Sequence, residues 1–588
     1  MQKLLHDGDQ MIRQTLQALV CIAFAVIILG PVFLALDRLT RVTDSSVFDA
    51  WSLWQNANQT DGVLTFTLLV AFTTSTFTCI IGFWISSTLA KFEIKQVSLI
   101  RAFFVLPFVT PAIVAAAGFL AIIDTDSFLS RIGIDLYTQN GFIGSLGDML
   151  GAENLGNFIA LVLALGWFNI SLVIRLIEPI IARLDKDWED QFNILPKGDS
   201  ALFKLRYFYF PIYGPGLFVA WSLTFIFSFT SFALPKWLSP QNDTIETLVS
   251  IYSSSAGIDG YRVWSSELVL SATIIQFLVL GIAMSLSTFL QSKHNSRIEL
   301  VNENYSRKQR GKITPIRALG LSIAFVYIIS PLLAVLSNSF RSIERNGPDT
   351  IKSWSLEGWR IAWRGDLSYA GIPEAMINSL TYAVVCMVIA LIVGTTIAAT
   401  IKQLEDAGKV ALARIIDLVS FLPLIISAIT VGLGILIGLL NLFPELLNWK
   451  FLPIWAHVMM VCPFVVRIML PAFRTLDQLY SDQATLLGMS DSEVFWRIKI
   501  PLIKPQIIVS AALSMAFSLG EFGASWMLSG IGNWVTLSTL TDQLMSRPNY
   551  FPEVRSAAMA VATCLMLMTL ILFVISEKFR DENGRGGF

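Results

Sequence analysis

In an apolar chain the few groups able to do chemistry stand out, and Glu521 is the first. It sits between Gly520 and Phe522 inside the apolar run 506–529. A carboxylate is costly in hydrocarbon, so it is expected to face a cavity or a partner. Two roles fit: a pathway or gate position, or a helix–helix hydrogen bond. The second feature is the polar stretch SDQATLLGMSDSEVFWRIKIPLIKP, residues 481–505. Its chemistry is that of docking. On a helix, Ala484, Leu487 and Gly488 share a face narrow enough to enter a partner's groove. Gly488 suits a helix end, Asp491 and Ser492 can cap the next helix, and Pro501 and Pro505 set the return into an apolar run. Catalytic constellations are missing. The three histidines (His6, His294, His457) do not cluster and the five cysteines form no CxxC pair, so no metal site is expected. Two Gly-Lys pairs, Gly311-Lys312 and Gly408-Lys409, lack both the spacing and the hydroxyl of a phosphate-binding loop. No nucleophile–base set supports an enzyme, and no directly bound cofactor is expected.

The elements that must position these groups follow from composition. The chain has 588 residues, 54% hydrophobic and 14% charged, with a mean hydropathy of +0.64. Soluble domains carry about 25% charged residues, so this is a membrane composition and the lipid bilayer is its solvent. The net charge of −1 gives no bulk attraction to nucleic acid. Twelve runs are long enough to cross a bilayer: 16–36, 63–90, 103–123, 158–181, 214–234, 267–290, 318–337, 378–401, 415–440, 453–470, 506–529 and 556–576. Each must satisfy its own backbone, so the expected fold class is an all-α polytopic membrane protein. Of the 42 Lys and Arg residues, 28 fall on the side of the termini, 13 on the other, and Arg175 within a span. That bias places both termini in the cytosol of a multi-pass plasma (inner) membrane protein. The loop 338–377 dissents with five basic residues, and SLEGWRIAWRG within it reads as a helix lying on the outer surface.

The polar segment 291–317 divides the chain into halves of six spans, 1–290 and 318–588, and these resemble each other. At an offset of 292, RLIEPIIARLDKDWEDQ (175–191) meets RIMLPAFRTLDQLYSDQ (467–483), and the match extends through Asp199-Ser200 and Asp491-Ser492. The first half then carries two extra residues. From Pro211 onward the offset is 290, which makes Ser231 the mate of Glu521 and Phe232 the mate of Phe522. A weaker echo joins 106–120 to 422–436. Polar elbows therefore recur near 184–211 and 476–505. Six spans per half keep both halves in one orientation, a parallel repeat with its axis along the membrane normal. Arg175 and Arg467 are matched and expected to snorkel to the interface, or to pair with elbow acids such as Asp477. Asp417 is expected to be interfacial, and Gly432, Gly434 and Gly438 should permit close helix packing.

The second elbow resembles the cytoplasmic EAA loop of binding-protein-dependent ABC importer permeases, the MetI-like inner-membrane components. That pattern is EAA, three residues, G, nine residues, I-x-LP. Here Asp482, Gln483 and Ala484 stand for EAA, and Gly488, Ile498 and Pro501 fall at the family spacing, with Ile500 in place of Leu. The first elbow is degenerate: Asp190, Gln191 and Phe192 replace EAA, Pro196 stands where Gly is expected, and Pro211 follows two extra residues. With SLGEFGASWMLSG (518–530) and FTSFALPKWLSPQNDTIETLVSIY (229–252), the fused arrangement resembles the ferric iron and thiamine permeases. The resemblance implies that both elbows dock ABC ATPase subunits, two copies in all, which use the ATP. It implies that an extracytoplasmic substrate-binding protein delivers ferric iron or thiamine. The alternative is a twelve-span secondary transporter driven by an ion gradient, which would more often carry several midplane charges.

Overall fold

The computed structural model describes residues 2–581 except 124–135, 137–141, 152–153, 185, 196–199, 299–310, 347–348, 477–482, 485, 530–533 and 549–552. Among the described residues nine helices are long and apolar enough to cross a membrane, and three bent helix pairs bring the number to as many as twelve. All twelve expected runs are thereby occupied. Among the described residues the only strands are two short pairings, Phe92–Glu93 with Gly311–Lys312 and Arg341–Asn346 with Asp349–Trp354. The fold is all-α and polytopic.

Four runs read as continuous spans are broken. The run 103–123 is Val97–Val109 followed by Ala112–Ile123, bent by 101°. Thr110 turns extended at ψ 130 before Pro111, which has no N–H to continue the ladder. The run 415–440 breaks likewise, by 86°, where Ile426 is extended and the Ser427 hydroxyl caps the N–H of Thr430. The runs 214–234 and 506–529 stop at Phe229 and Gly520 and restart as Ala233–Leu238 and Gly523–Ser529. These last two breaks coincide under the offset of 290.

The repeat extends to backbone detail. π turns occupy Leu205–Tyr209 and Phe495–Lys499, again 290 apart. Thr244 and Thr536 each close a capping box, with Thr247 and Thr539. The next N–H in each half leaves its helix for a hydroxyl on its half's second span: Ile245 to Thr67 at 3.1 Å, Leu537 to Ser379 at 2.9 Å. The structure also corrects the register of the elbows. The carbonyls of Ser200 and Ser490 accept from Lys204 and Val494, both at 2.9 Å. Ser200 therefore pairs with Ser490, and Asp199-Ser200 does not pair with Asp491-Ser492. The two extra residues fall between Leu195 and Ser200.

Consecutive in sequence, the halves are interlocked in space. The helix Pro315–Asn338, first of the second half, packs on the first half. Trp167 donates its indole N–H to the Ile328 carbonyl at 3.0 Å, and a Cβ on Gly118 would meet the Pro331 carbonyl oxygen at 2.6 Å. The helix Gln2–Thr43 returns the exchange. Trp455 donates to the Ile27 carbonyl at 3.0 Å, and Gly434 and Gly438 lie against the backbone around Pro31. Glycine is required at these positions because backbone meets backbone. Trp167 is fully buried, so Trp167→Phe loses both volume and a hydrogen bond. It is expected to destabilise by about 1–3 kcal/mol, read as a lower thermal midpoint in detergent.

The dissenting loop is an antiparallel hairpin followed by the helix Glu357–Arg364. Gly358 lies against Ser556 and Ala362 is buried, while Trp354 and Trp363 are exposed. The first half has its own version, Ala50–Asn56, with Ala50 and Trp54 buried and Trp51 exposed.

Candidate coupling elbows and pathway

Each elbow is a short helix, a turn and a second short helix feeding through a π turn into a span. In the second elbow the backbone N–H groups of Leu487 and Met489 bond to the carbonyls of Gln483 and Ala484, both at 3.1 Å. Gly488 ends this helix with φ +86, the left-handed conformation in which a side chain is strained. The next helix is opened by Ser490, not by Asp491 and Ser492. The Ser490 N–H and hydroxyl reach the Glu493 carboxylate at 3.1 Å, and its Oγ accepts from the Glu493 N–H at 3.4 Å. Ser490→Ala should remove about 1 kcal/mol of local stability, visible as faster amide exchange over Asp491–Val494 with the spans unchanged. Ala484 is buried, so it does not share an exposed face with Leu487 as helical spacing predicts. Leu486 and Leu487, 87% and 84% exposed, form the tip instead. Gln483 and Pro501 are exposed and Ile498 is half-buried in the π turn. Asp482 and Asp477 lie outside the described residues.

The first elbow keeps this shape by other means. Asp190 and Gln191 are exposed on the helix Lys186–Asn193, and Pro211 is the second residue of Phe210–Phe229. Phe192 fills the site of Ala484, its ring 5.8 Å from that of Phe203 and 5.0 Å from that of Phe208. Glu189 braces the base: Tyr209 donates to it at 2.6 Å, Lys204 lies at 2.9 Å and Lys91 at 3.5 Å. Burial acts to raise this carboxyl, but those donors and charges hold it at about 2. The contribution is present above the ordinary carboxylate range and is lost only as pH falls toward 2. Pro196 lies outside the described residues. The tip is again apolar, Ile194 and Leu195, the mates of Leu486 and Leu487 at an offset of 292.

The opposite face lies a full span away. The 20 residues of Phe210–Phe229 extend about 30 Å, and beyond them the two matched breaks meet. Phe232 and Phe522 stack with centroids 5.5 Å apart and planes at 15°. Beside them Lys236 Nζ lies 2.7 and 2.8 Å from the two Asp542 oxygens. Trp237 and Trp526 each donate an indole N–H to the same carboxylate at 2.9 Å. Glu521, next to Phe522, serves as a cap and a helix–helix tie. It accepts from the N–H groups of Ala524 and Ser525 at 2.8 and 3.1 Å, and from the Ser525 hydroxyl at 2.8 Å. His457 Nε2 stands 3.2 Å from it. Ser231, its mate, is half-buried at the first break. Arg467 pairs with Asp417 at 3.4 Å and lies over the Phe421 ring, while Arg175 lies over Phe108. All five cysteines are free.

Residues 390–580 match the family described as "Binding-protein-dependent transport system inner membrane component". The thiamine transport system permease protein ThiP of Brucella suis is 24% identical over 481 residues, 80% of each chain. A probable ABC transporter permease of Sinorhizobium fredii, y4fN, is 22% identical over 578 residues, 95% of each. The chloroplastic sulfate permease 2 of Chlamydomonas reinhardtii is 30% identical over 220 residues, 35% of this chain and 57% of that protein. Residues 390–580 thus carry this family's domain, and most of the chain is similar to ABC importer permeases. The chain is accordingly a multi-pass membrane protein of the ABC importers and not an enzyme. The permease's matched elbows and matched breaks lie at opposite ends of the same helices. Sequence reading of the permease missed His457, Lys236, Trp237, Trp526 and Asp542. His457 is a lone histidine in an apolar run, bound at both ring nitrogens by Ser518 and Ser525 at 2.8 Å. Lys236 and Asp542 are 306 residues apart and belong to no motif.

Proposed function

We propose that the permease moves a small organic solute, thiamine, inward across the plasma membrane, with ABC ATPase subunits docked on its two elbows. The matched exposed tips, Ile194-Leu195 and Leu486-Leu487, carry this reading. Apolar side chains on polar cytosolic loops call for a protein groove, and two of them at equivalent positions call for two ATPase copies. The docking elements comprise Asp190, Gln191, Phe192 and Pro211 in one elbow and, by sequence spacing, Asp482 with Gln483, Ala484, Gly488, Ile498 and Pro501 in the other. The Lys and Arg bias supports elbows and termini in the cytosol. The family implies an extracytoplasmic binding protein that supplies substrate to the other face. The halves 1–290 and 318–588, joined by 291–317, enclose the pathway, with Glu521 and Ser231 at the level of its constriction. Thiamine is favoured over sulfate because the thiamine relative aligns with 80% of this chain and the sulfate relative with 35%. Ferric iron has no support among these relatives.

The test is uptake of radiolabelled thiamine into proteoliposomes holding the permease, its ATPase and its binding protein. Uptake is expected to need both partners and ATP. Uptake driven by an ion gradient without any ATPase would establish the secondary-transporter reading instead.

A further inference from the structure

The Lys236 ammonium does more than neutralise a carboxylate. Its Nζ lies 4.5 Å from the Trp526 ring centroid, 5.5 Å from those of Trp237 and Phe522, and 5.7 Å from that of Phe232. Four aromatic faces around a cation, with a carboxylate at one wall, is the arrangement that binds organic cations. The cation here is tethered to the chain. Asp542 is 4% exposed and takes bonds from Lys236 and Trp237 of the first half and from Trp526 of the second.

The box is built from both halves where their matched breaks meet. Phe232 and Phe522 belong to opposite halves, so any solute passing between them must part the stack. Lys236 and Trp237 lie on Ala233–Leu238, directly after Phe232, whereas Trp526 lies on Gly523–Ser529 and Asp542 on Leu537–Met545. Parting the rings draws Lys236 away and leaves a buried carboxylate without its counter-ion, an unfavourable state. An arriving cation removes that penalty. We propose that Asp542, walled by these aromatic rings, is an organic-cation site in a gate opposite the elbows. Lys236 is its resident occupant, exchanged for the solute's positive group when the gate opens. The exchange rests on the organic-solute reading above: thiamine carries a quaternary thiazolium, a flat cation suited to aromatic walls. It also couples opening to substrate, because the gate loses its charge partner unless a cation takes the place of Lys236. An anionic solute would reverse the roles and seek Lys236.

The experiment uses the reconstituted complex and radiolabelled thiamine. Asp542→Asn is expected to lower uptake at least ~10-fold with the ATPase still bound. Lys236→Met should let the purified complex bind thiamine without the binding protein at least ~10-fold more tightly than the parent. Lys236→Arg should retain parental behaviour. Phe232→Cys with Phe522→Cys, bridged by a short thiol cross-linker, should stop uptake, and the same reagent should leave the parent active. This arm depends on neither charge. Parental uptake by Asp542→Asn, or unchanged binding by Lys236→Met, overturns the exchange while leaving thiamine as substrate. Sulfate binding that is lost in Lys236→Met also overturns it. A parent that takes up no thiamine overturns the substrate reading itself, and the exchange with it.

Discussion

Leu486→Asp with Leu487→Asp is expected to abolish ATP-dependent uptake, to below about a tenth of the parent, while the chain still inserts and folds. Both side chains are almost fully exposed in the isolated permease. Their replacement therefore leaves the fold intact. In the complex they would sit in the groove of an ATPase subunit, and a desolvated, unpaired carboxylate at an interface centre costs several kcal/mol. Co-purification of the ATPase reads the loss directly. Ile194→Asp with Leu195→Asp makes the same demand of the first elbow. If both elbows dock, either double variant suffices; if only the second does, the first-elbow variant keeps parental uptake. A permease that retains its ATPase after both pairs are changed does not use these tips.

The second large effect concerns assembly. Gly118→Leu or Gly434→Leu should sharply reduce the yield of folded chain, with a destabilisation of about 3 kcal/mol or more in what survives. A Cβ at Gly118 would stand 2.6 Å from the Pro331 carbonyl oxygen, and one at Gly434 would stand 2.9 Å from the Pro31 carbonyl carbon. The obstacle is backbone, which cannot rotate away. Gly281→Ala is the matched control: no atom lies within 4 Å of its Cβ position, and in a helix interior alanine is favoured. Thermal midpoints in detergent should fall for the first two and hold or rise slightly for the third.

These contrasts mark what the sequence could tell. Apolar run length is a one-dimensional quantity, and nine single helices and three bent pairs fall on the runs it marks. The elbows were legible because polar residues at fixed spacing recur twice in an apolar background. The breaks at Thr110, Ile426 and Glu521 were not, because the residues around them are as apolar as any span and the bend is set by local backbone chemistry. The exchanged first helices were hidden for a different reason. Gly118 and Pro331 are far apart in the chain, and neither shows which half it will meet. Ala484 and Leu487 were placed on one face by periodicity alone, yet Ala484 turns into the protein and Leu487 away from it. The Lys236–Asp542 pair had no sequence signal, since each residue looks like an ordinary loop charge.

That pair carries a last consequence. Under the offsets that superpose the elbows, breaks and capping boxes, Lys236 corresponds to Trp526 and Asp542 to Ser250. A permease made of two identical half-length chains would have the same residue twice at each position. Any Lys–Asp pair across its axis would therefore be made twice, once in each direction. Joining the copies in one polypeptide released them from that identity, so the pair is made once, with Trp526 at the mate of Lys236 and Ser250 at the mate of Asp542. The fused chain is thus a chemical opportunity: it allows one unrepeated ion pair across the axis, where a symmetric dimer would hold two related by the two-fold.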